Sequence, residues 1–423
     1  MAVKRHVAVI GAGVIGAIVA ARLLADSHRV TVIEPDPPGG PHCASFGNGG
    51  FLSPASIIPM SAPNLWRKVP GMLRDPKGAL TIRWRHLPAL SPWLWRFLMA
   101  GRSPQRVEET ARALNQLLSD APARHRALAD SIGRPEFIRN DGLIYAFHDR
   151  AAFETDAPAW NIRQRLGVRM QELGEEELRD LLPALSPLYR FAIRITDGGH
   201  CTDPGGYVSA ICDWVSARGG KFHAARATGF DLSGGRLGAV QTDRGPVACD
   251  AAVIANGIRA PRLARLAGER IPLQSERGYF VQIAGTEGIA NIPVMPQDGR
   301  MANIQVAGGL RASGQVELAS PDARPDWRRA DILLAHLRTT WPGLKINDQN
   351  VSRWMGHRPS TPDGRPVIGR ASASADIIHA FGHGHIGLAS APATAEIVAD
   401  LIAGRTPASE ITPFAPARFR RSR

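Results

Sequence analysis

The segment Val7-Ala8-Val9-Ile10-Gly11-Ala12-Gly13-Val14-Ile15-Gly16 constrains this chain more than any other. Four apolar residues without alternation read as a strand buried on both faces, and Val14–Ala25 continues with helical spacing. Val30–Ile33 is a second apolar run, and Glu34 closes it. Strand, helix and strand within about 30 residues form a βαβ unit, which opens a parallel α/β sheet.

The three glycines have separate tasks in such a unit. Gly11 permits the tight turn out of the strand, Gly13 lets the backbone approach a pyrophosphate, and Gly16 lets the helix pack closely on the sheet. The helix N-terminus, with the amides of Val14 and Ile15, offers unpaired N–H groups and a positive dipole end to a phosphate. Glu34 is placed to accept hydrogen bonds from ribose hydroxyls and to repel a 2′-phosphate. These residues predict a bound dinucleotide and do not by themselves separate NAD from FAD.

A chain of 423 residues exceeds what one core usually supports, so two domains are expected. The net charge of +13 comes from arginines spread along the chain. It forms no clustered basic stripe of the kind nucleic-acid binding requires, and it suits attraction to anionic substrates or surfaces. Cys43, Cys201, Cys212 and Cys249 are widely spaced and include no CxxC pair. They predict neither a metal site nor a disulfide framework, and they point to a reducing cytoplasm. The N-terminus runs straight into the first strand, leaving no room for the apolar core of a signal peptide, and no 18-residue apolar run predicts a membrane span.

Further along, residues 35–63 read as loop, and Val107–Ile132 reads as one long amphipathic helix. Glu175–Leu182 and Val208–Arg218 are short helices. Gly229–Leu232 and Arg236–Thr242 form a hairpin about Gly234-Gly235, and Ala251–Ala255 is a buried strand. Residues 272–351 alternate in places as antiparallel strands do. Ile377–Phe381 is a strand, and Pro392–Ala403 a helix. Trp66–Arg102 holds Trp66, Trp84, Trp93 and Trp95 among eight Lys/Arg residues. One reading is a surface that touches membrane headgroups. The other is a cap with core tryptophans and solvated arginines, which Pro70, Pro76, Pro88 and Pro92 favour by breaking any long amphipathic helix.

Several later stretches together resemble the D-amino-acid oxidase-like superfamily of FAD-dependent amine oxidoreductases. Ala44-Ser45-Phe46-Gly47-Asn48-Gly49-Gly50 is similar to that family's Thr-Ser-x-Ala-Asn-Ala-Gly loop beneath the flavin, with Ala44, Gly47 and Gly49 as departures. Ala251 to Gly257 is similar to its strand ending in Ala-Gly beside the adenosine half, with Asn256 in place of Ala. Ser275 to Tyr279, Gly309 to Glu317, Gly356 to Pro366 and Phe381 to Leu388 complete the resemblance, which covers essentially the whole chain. It is strongest toward the bacterial D-amino-acid and D-hydroxyproline dehydrogenases.

The resemblance implies an α/β fold in two parts. A Rossmann-type FAD-binding domain with a mostly parallel sheet is expected from 1–60, 198–270 and 352–423. An α+β substrate domain with an antiparallel sheet is expected from 61–197 and 271–351. The implied FAD contacts are Gly11, Gly13, Val14, Ile15, Gly16, Glu34, Ser45, Asn48, Gly49, Gly50, Ala227, Asn256, Gly257, Gly382, His383, Gly384, His385, Ile386, Gly387 and Leu388. Gly382, Gly384 and Gly387 would let backbone N–H groups face the flavin edge where negative charge gathers on reduction, and His383 or His385 would add a charge or hydrogen bond. Relatives that attach flavin covalently use a His in the loop or a Cys near the C-terminal motif. Here Gly47 stands at that loop position and no Cys follows Cys249, so non-covalent FAD is expected.

In the family the Arg of Gly-x-Arg-Pro binds the substrate carboxylate, and that position is Arg358. A guanidinium fork matches a carboxylate bidentately and fixes which face of Cα is presented. Tyr279 is expected as a hydroxyl donor to the carboxylate or a wall of the pocket, with His357 and Arg277 as lesser candidates. The implied activity is a dehydrogenase-type oxidation of D-amino acids, with a quinone or other electron acceptor. The rivals are a D-proline or D-hydroxyproline dehydrogenase, a glycine/sarcosine-type oxidase, and a flavin-carrying subunit of a larger electron-transfer complex.

Overall fold

The computed structural model describes residues 4–67, 71, 78 and 80–420. The chain is a mixed α/β protein with one largely parallel sheet and several antiparallel ones, as the sequence predicts. It divides into two compact units. The first is built from 1–46, 205–275 and 358–423, and the second from 47–204 and 276–357. The segments 47–60, 198–204 and 352–357, assigned to the cofactor domain on sequence, fall in the second unit, and 271–275, assigned to the substrate domain, falls in the first.

In the first unit, strand His6–Ile10 lies between Arg29–Ile33 and Ala251–Ile254, both parallel to it. Lys221–His223 extends one edge in parallel, and Ile377–Phe381 extends the other. Val367–Arg370 closes that edge antiparallel. Four strands are apolar throughout or nearly so because both faces of a parallel sheet are covered. Helix Val14–Ala25 packs against helix Gly387–Ile402, so the two glycine-rich ends of the sequence meet on one face. The second helix starts earlier than expected and carries Pro392 inside it. A small antiparallel sheet formed by Ala227–Ser233, Arg236–Thr242 and Val247–Ala248 includes the expected hairpin.

The second unit is organised by a nine-stranded sheet. Its centre is the antiparallel run of Gln274–Ile283, Gly309–Leu318 and Ala302–Val306. One face of these strands is a hydrophobic core that includes Tyr279, Val281, Ile283, Leu310, Ala312 and Trp341. Register puts Phe280 opposite Ser313 and Gln282 opposite Arg311, so these four share the other face. The expected helix over 107–132 is two helices, Pro104–Leu118 and Ala121–Ser131. The chain turns at Ser119-Asp120, and Pro122 sits in the first turn of the second helix, where its missing N–H costs nothing.

The Trp66–Arg102 segment differs from expectation in one respect. Pro70 and Pro76 lie outside the described residues, but Pro88 and Pro92 sit within helix Leu87–Ala100. Pro88 occupies its first turn. Pro92 leaves the Pro88 carbonyl without its helical N–H, and the Ser91 hydroxyl donates to that carbonyl at 3.0 Å instead. Trp93 is core, stacked on Phe97, whereas Trp66, Trp84 and Trp95 are exposed.

Candidate active site

The glycine loop of the first unit separates what the chain requires from what a ligand requires. Gly11 has φ +107°, and a Cβ there would stand 2.7 Å from the Ala255 carbonyl oxygen. A Cβ on Gly16 would stand 1.9 Å from the Gly11 carbonyl oxygen. Both glycines are therefore demanded by packing of the chain itself. Gly13 is different. It has φ −69° and ψ 178°, an ordinary extended conformation, and caps the helix. A Cβ on it would meet nothing closer than the Ser45 hydroxyl at 3.6 Å. That space is a cradle that the chain leaves open beside a helix N-terminus.

Polar groups of the same unit converge on this loop. The Val14 N–H donates to Ser45 Oγ at 3.0 Å, which ties the 44–46 stretch to the first helical turn. The Ala12 N–H donates to Glu34 Oε2 at 2.9 Å, and Asp36 N–H approaches Oε1 at 3.4 Å. Glu34 is thereby fixed at the strand end with acceptor capacity left for ribose hydroxyls. Val14 and Ile15 are buried, so they can serve a ligand only through backbone. Asn256 follows strand Ala251–Ile254 next to Gly11, and its Oδ1 is buried without a hydrogen-bond partner among the described residues. An orphaned acceptor of this kind is costly unless something completes it. Gly257 beside it has φ +58°. Ala227 opens the small sheet opposite Thr242 and packs on the unit's core. An open glycine cradle, a helix N-terminus, a ribose-type acid and an orphaned acceptor together fit FAD.

At the C-terminal motif, Gly382 and Gly384 take φ of +82° and +51°, which bends the chain sharply between strand Ile377–Phe381 and helix Gly387–Ile402. Ile386 and Leu388 are buried. His383 is buried too, and its Nε2 lies 3.1 Å from Thr394 Oγ1. Burial lowers its pKa to about 3. His383 is therefore neutral in this structure, so of the charge or hydrogen bond expected from His383 or His385 the geometry favours a hydrogen bond at His383. His385 is the exposed one of the pair.

The second unit corrects two further expectations. Tyr279 is buried, and its hydroxyl donates to Glu317 Oε2 at 2.5 Å while accepting from the Asp326 N–H at 2.9 Å. Burial raises its pKa. Its single proton is already given to Glu317, so it is not a donor to a substrate carboxylate. Arg277 is fully buried, paired with Glu317 at 3.2 Å and donating to the Ala323 carbonyl. Arg83 binds the other Glu317 oxygen at 2.5 Å. These groups form a structural network that locks the 323–326 turn to the sheet.

Strand Val351–Ser360 carries Arg358, and its alternation decides which neighbours can act with it. Trp354, Gly356 and Arg358 fall on one side, and Met355 and His357 on the other. Met355 packs on the hydrophobic core, so His357 is turned away from the side that carries Arg358. Sequence reading missed Trp354. Its indole stacks on Phe280 at 5.4 Å and occupies the space beside Gly47 and Gly356, where a Cβ would come within 1.9 and 2.0 Å of the ring. Gly47 is thus explained by Trp354. The Arg311 guanidinium also lies over the Phe280 ring, 4.4 Å from its centre, and binds Gln282 Oε1 at 2.9 Å. Burial lowers its pKa to about 10, which leaves it cationic at neutral pH. In the adjoining loop Asn48 Oδ1 accepts from the Gly50 N–H at 2.8 Å, and Gly49 fits against Ala302. Asn48 and the two glycines thus shape the loop. The strand's two-residue alternation and the glycines at 47 and 356 were the available signals for Trp354.

Comparison with known proteins agrees with this geometry. Residues 6–401 match the model of the DAO family, described as FAD dependent oxidoreductase. A D-amino-acid oxidase of Bradyrhizobium diazoefficiens is 46% identical over 98% of this chain and 99% of its own. A D-amino acid dehydrogenase of Paramagnetospirillum magneticum is 30% identical over 98% of each chain. Among solved structures, glycine oxidase from Geobacillus kaustophilus superposes with a TM-score of 0.75 at 21% identity, covering 99% of both chains. L-proline dehydrogenase from P. horikoshii gives 0.75 at 20%, covering 99% of this chain and 98% of its own. The chain belongs to the DAO family of FAD-dependent oxidoreductases.

Proposed function

We propose that this enzyme oxidises D-amino acids to imino acids, which water then converts to 2-oxo acids and ammonia. The observation that carries the reading is full-length, 46% identity to a relative named for D-amino-acid oxidation, joined to an intact Gly356-His357-Arg358-Pro359 strand. Bound FAD would supply the two-electron acceptor for the Cα–H bond. The chain's own contribution is binding and orientation. Arg358 holds the substrate carboxylate and so fixes which face of Cα is presented, and the neutral substrate amine supplies the electron push without a protein base. Gly13, Glu34, Ser45 and Asn256 hold the nucleotide, non-covalently, on the loop that Gly11 and Gly16 shape by their packing, and the 382–388 amides serve the ring.

Relatives divide over where the electrons go next. Those named dehydrogenase, at 30% identity and below, support a quinone or other non-oxygen acceptor. The 46% relative, named oxidase, supports oxygen. We place the protein in the cytoplasm on its four free thiols, three of them buried.

Anaerobic mixing with matched D- and L-amino acids tests the reading. D-isomers should bleach the flavin absorbance and L-isomers should not; bleaching only by L-isomers or by N-methylated amines would overturn it. Air reoxidation within a turnover, with peroxide released, would assign oxygen as acceptor. Arg358→Ala should raise KM at least about tenfold for carboxylate substrates while FAD stays bound, the loss of a charge-assisted bidentate contact.

A further inference from the structure

The segment 66–102 carries eight Lys/Arg and one acidic residue, Asp75. Its helix Leu87–Ala100 has two unlike faces. Leu87, Leu90, Trp93, Leu94 and Phe97 pack inward on Ile82, Val316 and Leu318, and a parallel pairing of Leu80–Ile82 with Val316–Leu318 anchors the start of the segment. The opposite face repeats at i, i+4, i+7 and i+11 as Pro88, Pro92, Trp95 and Met99, and Trp84 continues the line in the turn before the helix. Trp84 and Trp95 are 67% and 64% exposed, which is uncommon for so large an apolar side chain.

Cations flank this stripe. Arg85 and Arg102 are exposed and Arg96 is half-buried, and no carboxylate among the described residues pairs with any of them. Arg83 differs, being committed to Glu317. A line of tryptophan and proline bordered by arginines that pair with no described carboxylate matches the chemistry of a bilayer interface. Indole rings settle at headgroup level there and arginines meet anionic phosphates. No described helix is long and apolar enough to cross a membrane, so the contact would lie in the interface plane.

We propose that the outer face of helix Leu87–Ala100, with Trp84, Trp95, Arg85, Arg96 and Arg102, docks the enzyme on an anionic lipid surface. The inward face is fixed by the core beneath it, so the docking stripe is preformed. The proposal is independent of the substrate reading, because it is tested by binding and not by turnover.

The test is co-sedimentation of full-length holoenzyme with vesicles of phosphatidylcholine alone or with about one third phosphatidylglycerol. Anionic vesicles should retain the protein at low salt, neutral ones should retain it weakly, and raised salt should release it. Trp84→Ala with Trp95→Ala should weaken retention at least about tenfold. Arg85→Gln with Arg96→Gln should weaken it about fivefold per arginine on anionic vesicles only. Flavin content and turnover with a soluble dye should be unchanged in all of them, which separates a lost surface from a lost fold. Failure to bind anionic vesicles at low salt, or equal binding by the double tryptophan variant, would overturn the proposal. So would self-association of the wild type that the same tryptophan changes abolish, since the face would then belong to a second copy of the chain.

Discussion

Single residues in the nucleotide loop differ in what holds them in place, and the difference is measurable. Gly11→Ala puts a side chain at φ +107° and within 2.7 Å of the Ala255 carbonyl, so apoprotein stability should fall by about 2 kcal/mol or more in urea unfolding. Gly13→Ala meets no chain atom closer than the Ser45 hydroxyl at 3.6 Å and keeps an ordinary φ, so the apoprotein should lose no more than about 1 kcal/mol, from the poorer helix cap. FAD affinity should nevertheless drop by about tenfold or more in a flavin titration, because the new methyl fills the phosphate cradle. Equal loss of apoprotein stability in the two variants would assign Gly13 to packing and not to the cofactor. Tyr279→Phe tests the opposite sort of residue. It removes the buried hydrogen bond to Glu317 and leaves the Asp326 N–H without its acceptor, so stability should fall by about 2–3 kcal/mol while KM for the amino acid stays unchanged. The glycines were legible because a backbone conformation at fixed spacing admits few residues. The commitment of Tyr279 was not, because its partner Glu317 is 38 residues away and only strand pairing brings it near.

At the scale of elements, the paired strands Gln274–Ile283 and Gly309–Leu318 depend on one buried charge. Glu317 has no exposed side-chain area and receives Arg277, Arg83 and Tyr279. Glu317→Gln would leave the fully buried Arg277 without its counter-ion. Breaking such a pair from one side costs about 3–5 kcal/mol, far more than the pair contributes relative to apolar residues. Thermal unfolding of the variant should show that loss, and the double change Glu317→Gln with Arg277→Met should recover part of it. Elements also show where local sequence signals misled. Prolines argue against a long amphipathic helix within 66–102, yet a 14-residue helix forms over Leu87–Ala100, kept intact across Pro92 by tertiary packing of its apolar side and the Ser91 hydroxyl. Over 107–132 the periodic pattern carries on through a break, because both helices bury the same kind of face while the chain turns at 119–120. Periodicity reports which face is buried; it does not report whether the axis is continuous.

For the whole molecule, the loss of stability between neutral and mildly acid pH depends on histidines that neither unit leaves solvated. His200 in the second unit and His383 in the first are buried, and burial lowers their pKa values to about 4 and about 3. In the unfolded chain both return to about 6.5. Between about pH 6.5 and 4 the unfolded state therefore binds more protons than the native one, so stability rises with pH across that window. It is retained in full above about 6.5 and lost as the pH falls, at about 1.4 kcal/mol per pH unit for each histidine. His6 and His28, also lowered mainly by burial, act in the same direction. The net charge of +13 grows as carboxylates protonate, and self-repulsion adds to the loss at the acid end of the window. Urea unfolding at pH 7 and pH 5 should thus show wild-type protein weakened by about 2 kcal/mol for each of the two strongly shifted histidines. His383→Asn replaces the imidazole with a group that does not titrate, so its stability should fall by about 2 kcal/mol less over the same interval. An identical pH dependence in variant and wild type would mean that His383 is protonated in the native protein, and the C-terminal glycine turn would then carry a charge after all.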